Sequence, residues 1–152
     1  RQHMKKPRVL VADDHPAILM AICGLLEDGV GEVVGAVTDG QALVEAAQRL
    51  EPDIILTDIS MPKLNGLEAT RALQDTVPQS KVIILTSHCE PAYVTLAFES
   101  GACGYLLKRS SLHAELSQAF LHVLAGDRYI GLGVREERAF ADEGESLIRY
   151  RL

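Results

Sequence analysis

Acidic residues stand directly after two apolar stretches of the chain. The run Val9-Leu-Val-Ala12 leads into Asp13 and Asp14, and the run Ile54-Ile-Leu56 leads, one residue later, into Asp58. Each run has the pattern of a strand that is buried on both faces. Because burying an unpaired carboxylate is costly, an acid at the end of such a strand does not serve to build a core. Ligands of open α/β sheets bind beyond the strand ends, so Asp58 is either a site residue or merely a cap of the next helix.

Two further apolar stretches end in residues that complement these acids. Val82-Ile-Ile-Leu85 ends in Thr86, and the run from Cys103 to Leu107 ends in Lys108. The carboxyl ends of parallel strands lie on one edge of a sheet, so all these side chains can face a single crevice. Three carboxylates in one crevice repel each other by roughly 1 to 4 kcal/mol per pair at about 4 Å. That repulsion favours a divalent cation, and oxygen ligands without a His/Cys cluster favour Mg²⁺.

The predicted crevice does not suit a free nucleotide. No Gly-rich loop follows the first strand, and acids occupy the place where a phosphate would lie. The residues do suit the transfer of a phosphoryl group to a carboxylate beside a metal ion. Asp58, on the middle strand, is the candidate nucleophile, and Asp13 and Asp14 are the candidate metal ligands. Lys108 and Thr86 would hold the remaining phosphoryl oxygens.

The elements that must position these residues alternate along the chain. Apolar runs typical of buried strands are separated by segments with helical periodicity, such as Leu43, Ala46, Ala47 and Leu50 at i, i+3, i+4 and i+7. The helix after Pro16 is predicted to bury Ile18, Ile22, Leu25 and Leu26. Leu64 to Asp75 is predicted as the third helix. Five strands alternating with five helices predict an α/β fold, a doubly wound (βα)5 parallel sheet with helices on both faces.

Composition limits the functions open to this chain. Its 152 residues fit one domain, with 47% hydrophobic and 24% charged residues, as in soluble proteins. The net charge of −6 argues against general affinity for nucleic acid or anionic membranes. No apolar run is long enough to span a membrane, so no membrane partner is expected. Cys23, Cys89 and Cys103 lack CxxC spacing and are predicted to be free thiols in a reducing cytoplasm.

From Lys6 to about Gly126 the chain resembles the receiver domain of two-component response regulators. The resemblance rests on Asp13-Asp14, Asp58 with Pro62 and Gly66, Thr86-Ser87, and Gly104-Tyr105-Leu-Leu-Lys108, in order and at the expected spacings. The sub-patterns Asp-Asp-His-Pro, Gly-Leu-Glu-Ala-Thr and Gly-Tyr-Leu-Leu-Lys are most similar to the NarL/FixJ (LuxR-type) group of transcriptional regulators. The resemblance implies a flavodoxin-like strand order, 2-1-3-4-5.

The resemblance also implies a mechanism. A sensor histidine kinase would pass a phosphoryl group to Asp58 in the presence of Mg²⁺. Asp14 and Asp58 would bind the metal directly, Asp13 through water, and the backbone carbonyl of Ser60 would complete the protein ligands. Thr86 would move toward the phosphoryl group and Tyr105 would change rotamer. The protein would be a switch that dephosphorylates itself, and not a turnover enzyme.

Several alternatives stay open at this point. Residues 1–5 are interpreted as a cloning remnant and N-terminus, residues 6–127 as the receiver domain, and residues 128–152 as a linker or tail. The tail is too short for a helix-turn-helix, so the protein contacts DNA only through a C-terminal domain outside this chain, or it is a single-domain receiver acting through protein partners. A homodimer is a further candidate partner.

Two other functions compete with the switch. One is a Mg²⁺-dependent phosphohydrolase using an aspartyl phosphate, although Asp58-Ile-Ser-Met lacks a second acid two residues on. The other is an interaction module that takes no phosphate. Ser87 and His88 follow Thr86 and are hypothesised to line the mouth of the site, where His88 would affect phosphoryl lifetime. His15, His113 and His122 are interpreted as scattered surface residues.

Overall fold

The computed structural model describes residues 5–109 and 112–134, which form one sheet of six strands and five helices. The strands are β1 (Arg8–Ala12), β2 (Glu32–Val37), β3 (Ile54–Thr57), β4 (Lys81–Thr86), β5 (Gly104–Leu107) and β6 (Tyr129–Ile130). The helices are α1 (Pro16–Glu27), α2 (Gly40–Leu50), α3 (Gly66–Thr76), α4 (Pro91–Glu99) and α5 (Leu112–Leu124). None of the helices in the described ranges combines the length and the apolarity that crossing a membrane requires.

The sheet has the order β2-β1-β3-β4-β5-β6, and every pairing in it is parallel. This confirms the predicted α/β fold and the order 2-1-3-4-5. The sixth strand is not among the predicted elements. Tyr129 and Ile130 pair with Gly104 and Tyr105, inside the segment interpreted as a linker or tail. Residues 135–152 of that segment, like residues 110 and 111, lie outside the described residues.

The strands are buried on both faces because helices cover each side of the sheet. Successive strand residues point to opposite faces, so Leu10, Ile55 and Ile84 pack with α2, α3 and α4. Val11, Leu56 and Leu85 pack with α1 and α5 on the other side. The apolar runs of the sequence therefore predict the sheet correctly, since strands buried on both faces show no alternation.

Two details of the helices differ from the sequence predictions. Ile18, predicted to be buried, is 37% exposed, and the adjacent Leu19 is buried instead. The residues of α1 that are buried against the sheet are Leu19, Ile22 and Leu26. The helix is therefore rotated about its axis by about one residue relative to the predicted orientation. Helix α3 begins at Gly66 and not at Leu64, because Asn65 caps it in a capping box with Glu68.

Candidate functional site

Backbone hydrogen bonds fix the residues that follow the strands. The sheet ladder continues one residue past β1 and β3, where Asp13 N donates to the Val37 carbonyl and Asp58 N donates to the Ala12 carbonyl. In the same way Lys108 N donates to the Thr86 carbonyl. Since β1 lies beside β3, Asp13 and Asp58 begin at the same level of neighbouring strands. The strand-end residues are thus held by the rigid sheet, as a precise site requires.

Three carboxylates come together at this edge. Oxygens of Asp13, Asp14 and Asp58 and a ring nitrogen of His15 all lie within 4.8 Å of one another. Asp13 is only 1% exposed and Asp58 6%. Oδ1 of Asp14 is buried, and no donor from residues 5–109 or 112–134 meets it in hydrogen-bond geometry, although His15 Nδ1 is 3.0 Å away. Buried polar atoms normally have partners, so this oxygen marks a place where a ligand is expected.

Lys108 partly compensates the acids. Its Nζ lies 2.7 Å from Asp13 Oδ2 and 3.0 Å from Asp58 Oδ2, and it donates a hydrogen bond to the latter. Burial lowers the pKa of Lys108, but the contacts with Asp13 and Asp58 outweigh it, so the pKa is raised above its ordinary value. The ammonium is therefore charged at neutral pH. One positive charge still leaves an excess of carboxylates.

The loop after β3 holds the Asp58 carboxylate at a defined orientation. Ile59 N donates to Asp58 Oδ1 at 2.7 Å, and the hydroxyl of Thr57 donates to the Asp58 carbonyl at 2.9 Å. Gly66 crosses directly over this backbone, because a Cβ built on it would lie 1.9 Å from the Asp58 carbonyl oxygen. Only glycine permits such a close approach. The glycine of the sequence motif is thus explained by steric contact.

Thr86 and Tyr105 are connected through one residue of the next loop. The amide of His88 donates to Thr86 Oγ1 at 3.2 Å, and the carbonyl of His88 accepts the Tyr105 hydroxyl at 2.7 Å. Thr86 and Tyr105 are both fully buried. Burial, followed by the charge of Glu90, raises the pKa of the Tyr105 phenol, which stays protonated and remains a donor. A change at Thr86 can therefore reach Tyr105 through a single residue, His88.

The remaining predicted residues lie at the periphery. Ser60 and Ser87 are exposed, in the loops that follow β3 and β4. The ring of His88 is half-buried and stacks on Tyr93. His15, interpreted from the sequence as a scattered surface residue, is 63% exposed, but its ring lies against the Asp13–Asp14 pair. Its position directly after two acids is the signal that could have placed it there.

The donor set fits a hard divalent cation. Carboxylate oxygens are the ligands that such cations prefer, and an unfilled buried oxygen on Asp14 is available. A cation bound by Asp13, Asp14 and Asp58 would neutralise the charge that Lys108 leaves over. The site can thus hold a metal without any rearrangement of the sheet.

Most of the chain matches a protein-family model. Residues 9–120 match the model described as "Response regulator receiver domain". Among curated proteins, the response regulator GacA of Pseudomonas viridiflava is 40% identical over 133 residues, which are 87% of this chain and 62% of that protein. The chain thus spans about 62% of the length of this relative.

Solved structures give the same picture. A LuxR-family two-component response regulator from Aurantimonas sp. SI85-9A1 superposes with a TM-score of 0.84 at 32% identity, covering 91% of this chain and 99% of that one. The isolated REC domain of RcsB from Salmonella enterica serovar Typhimurium, in the presence of phosphomimetic BeF3-, gives 0.77 at 26% identity, covering 87% and 98%. A further structure contains two RcsB dimers bound to two parallel DNAs. It superposes on this chain with a TM-score of 0.78 at 26% identity, covering 87% of this chain and 67% of that one.

Proposed function

The chain belongs to the family of response regulator receiver domains, and we propose that it is a phosphorylation-controlled switch with Asp58 as the phosphoacceptor. One observation carries the proposal. The Asp58 carboxylate is held at the end of β3 beside Asp13 and Asp14, and it accepts a hydrogen bond from the Lys108 ammonium, which also contacts Asp13. This arrangement places a nucleophile, metal ligands and a positive charge around one point.

The reaction follows from these contacts. An oxygen of Asp58 attacks the phosphorus of a phosphohistidine on a sensor histidine kinase, a P–O bond forms, and the P–N bond breaks. The Lys108 ammonium, already at Asp58 Oδ2, stays close to the new acyl phosphate and offsets its charge. Asp13, Asp14, Asp58 and the Ser60 carbonyl would hold Mg²⁺, which supplies neutralisation of the phosphoryl oxygens when bound. Attack by water on the phosphorus later breaks the bond between phosphorus and the Asp58 oxygen, which releases inorganic phosphate and restores the Asp58 carboxylate.

Thr86 and Tyr105 would respond to phosphorylation of Asp58. Thr86 Oγ1 accepts from the His88 amide in this structure. As a ligand of the phosphoryl group, Thr86 would shift toward Asp58 and displace His88. The carbonyl of His88 accepts the hydrogen bond from the Tyr105 hydroxyl. The loop after β4 and the faces of α4 and β5 then change together. This is the surface that a partner would sense.

The switch would act through a partner subunit and a DNA-binding domain. RcsB, a relative of this chain, has been solved as dimers bound to DNA, which supports a homodimer and a DNA-binding output controlled by this receiver. DNA contact would come through a further C-terminal domain, and the proposed site of action is the cytoplasm, where the sensor kinase delivers its phosphoryl group. The protein would act as a switch and would not turn over substrate.

Intact-mass measurement with acetyl phosphate and Mg²⁺ tests the proposal. The unmutated protein should gain about 80 Da, the mass of one phosphoryl group. Asp58→Asn should gain nothing, whereas Asp75→Asn, which changes an exposed aspartate on α3, should behave as the unmutated protein. No adduct in the unmutated protein would refute the switch, and steady hydrolysis of phosphoesters would favour the phosphohydrolase.

A further inference from the structure

The loop after β4 has few contacts of its own. Of the amides of residues 87–90, only that of His88 donates a hydrogen bond within the described residues, to Thr86 Oγ1. Yet this loop supplies the acceptor for the buried Tyr105 hydroxyl, the His88 carbonyl. The inward position of Tyr105 therefore depends on a loop that backbone hydrogen bonding alone does not fix.

The side chain of His88 supplies the missing contact. Its ring stacks on Tyr93, with ring centroids 4.5 Å apart and an interplanar angle of 24°. Tyr93 lies in the first turn of α4 and packs against the same core cluster that contains Tyr105. His88 Nδ1 is also 3.8 Å from a carboxylate oxygen of Glu90, whose side chain is 60% exposed. An exposed pair of this kind contributes little, so the stacking on Tyr93 does more to hold the His88 ring in place.

We propose that the stacked rings of His88 and Tyr93 form a clasp that holds the His88 carbonyl where Tyr105 can donate to it. His88 is thus a positioning residue, and it acts through its backbone on Thr86 and Tyr105 together. The clasp sets the fraction of molecules that already have Tyr105 inward before phosphorylation. This inference rests on the proposed switch function, in which Tyr105 has a second rotamer.

The clasp differs from the hypothesis that His88 lines the site mouth. A residue at the mouth would act through its imidazole, and Tyr93 would not matter. A clasp needs only an aromatic ring at position 88 and another at position 93. His88→Phe keeps the stack and loses the imidazole, whereas His88→Ala and Tyr93→Leu each lose the stack.

Fluorine NMR on protein labelled with 3-fluorotyrosine measures the Tyr105 populations, with Tyr105→Phe identifying the signal. His88→Ala and Tyr93→Leu should each shift the equilibrium toward the outward rotamer by about two- to tenfold, the range that an aromatic pair supplies. The double variant should shift it no further, since both changes break one contact. His88→Phe should stay near the unmutated value.

The same variants are then phosphorylated with acetyl phosphate and Mg²⁺. An adduct that forms while the rotamer populations stay unchanged in Tyr93→Leu would overturn the clasp and leave the switch intact. Equal effects of His88→Phe and His88→Ala would also overturn it and would favour the imidazole at the site mouth. Absence of the adduct in the unmutated protein would instead refute the proposed function itself.

Discussion

Asp13 and Glu115 are both carboxylates buried to more than nine-tenths, but their surroundings differ. Asp13 lies among other acids, with Lys108 as its cation. Glu115, on α5, faces donors, since its Oε2 accepts the Leu132 amide at 2.8 Å and the Tyr129 hydroxyl at 3.4 Å. The acids at the strand ends outnumber their one cation, whereas Glu115 accepts neutral hydrogen bonds through Oε2. Its other oxygen, Oε1, is buried and has no hydrogen-bond partner within the described residues.

The difference separates a ligand site from a structural anchor. Like charges at short distance reduce stability, so the acids at the strand ends cost free energy until a cation or a phosphoryl group arrives. Glu115 instead fastens the chain that follows β6 to the body of the domain. Gly131 also donates to the Tyr105 carbonyl at 2.8 Å, so this anchored segment is joined directly to the strand that carries Tyr105.

Removing the positive charge of Lys108 from the acids at the strand ends should have the largest effect on stability. Lys108→Met leaves three carboxylates together, and breaking a buried ion pair costs about 3 to 5 kcal/mol. Chemical denaturation without divalent cations should show a loss of this size, and added Mg²⁺ should restore part of it. Lys63→Met is the matched control, because the side chain of Lys63 is 62% exposed and lies 3.7 Å from Asp39, so its loss should change stability little. Equal losses in the two variants would contradict the comparison.

Removing the anchor should cost less and should not respond to metal. Glu115→Ala removes the charged acceptor of the Leu132 amide, and a hydrogen bond to a charged group contributes about 1.5 to 3 kcal/mol. Glu115→Gln keeps an acceptor oxygen and should lose less. Denaturation curves with and without Mg²⁺ should shift equally in both variants. A loss in Glu115→Ala that Mg²⁺ repairs would place Glu115 in the metal site.

Neutralising one acid should have the opposite sign. Asp14 has no contact with Lys108 within the described residues, so Asp14→Asn relieves repulsion without breaking that ion pair. Without divalent cations, the variant should be more stable by about 1 kcal/mol. Thermal unfolding should show that Mg²⁺ stabilises the unmutated protein and hardly affects the variant. Destabilisation of Asp14→Asn in the absence of metal would show that the acids are not in excess.

The smallest effect is a dependence on pH. The pKa of Lys108 is raised in the folded protein above its ordinary 10.5. Its contribution to stability is therefore fully present below pH 10.5 and is lost as the pH rises through the folded-state pKa. The stability difference between the unmutated protein and Lys108→Met should be constant from about pH 7 to about pH 10 and shrink only above pH 10.5. A difference that already falls near neutral pH would contradict the raised pKa.

The two regions also differ in how well sequence predicts them. The acids and Lys108 could be placed together because each ends an apolar run, and a parallel sheet brings those ends to one edge. His15 was interpreted as a scattered surface residue although its position after two acids indicated the site, because the direction of its ring depends on how the chain turns into α1. The Tyr93 stack was equally hidden, since it joins a loop residue to the first turn of a helix.

The anchor was missed for a different reason. Strand β6 has only two residues, which is too short for any periodic pattern to show. One signal was present, however. Glu115 lies on the same face of α5 as Leu112, Leu116 and Ala119, and a charge on an apolar stripe could have indicated a buried partner. Its partners follow 14 and 17 residues later, and sequence periodicity gives no information on such contacts.

The most direct measurement is to locate the phosphoryl group on the chain. After reaction with acetyl phosphate and Mg²⁺, borohydride reduces an aspartyl phosphate to homoserine, which tandem mass spectrometry can assign to a position. The account predicts homoserine at position 58 and unmodified aspartate at positions 13 and 14. Homoserine at position 13 or 14, or at no position despite a phosphoryl adduct, would contradict it.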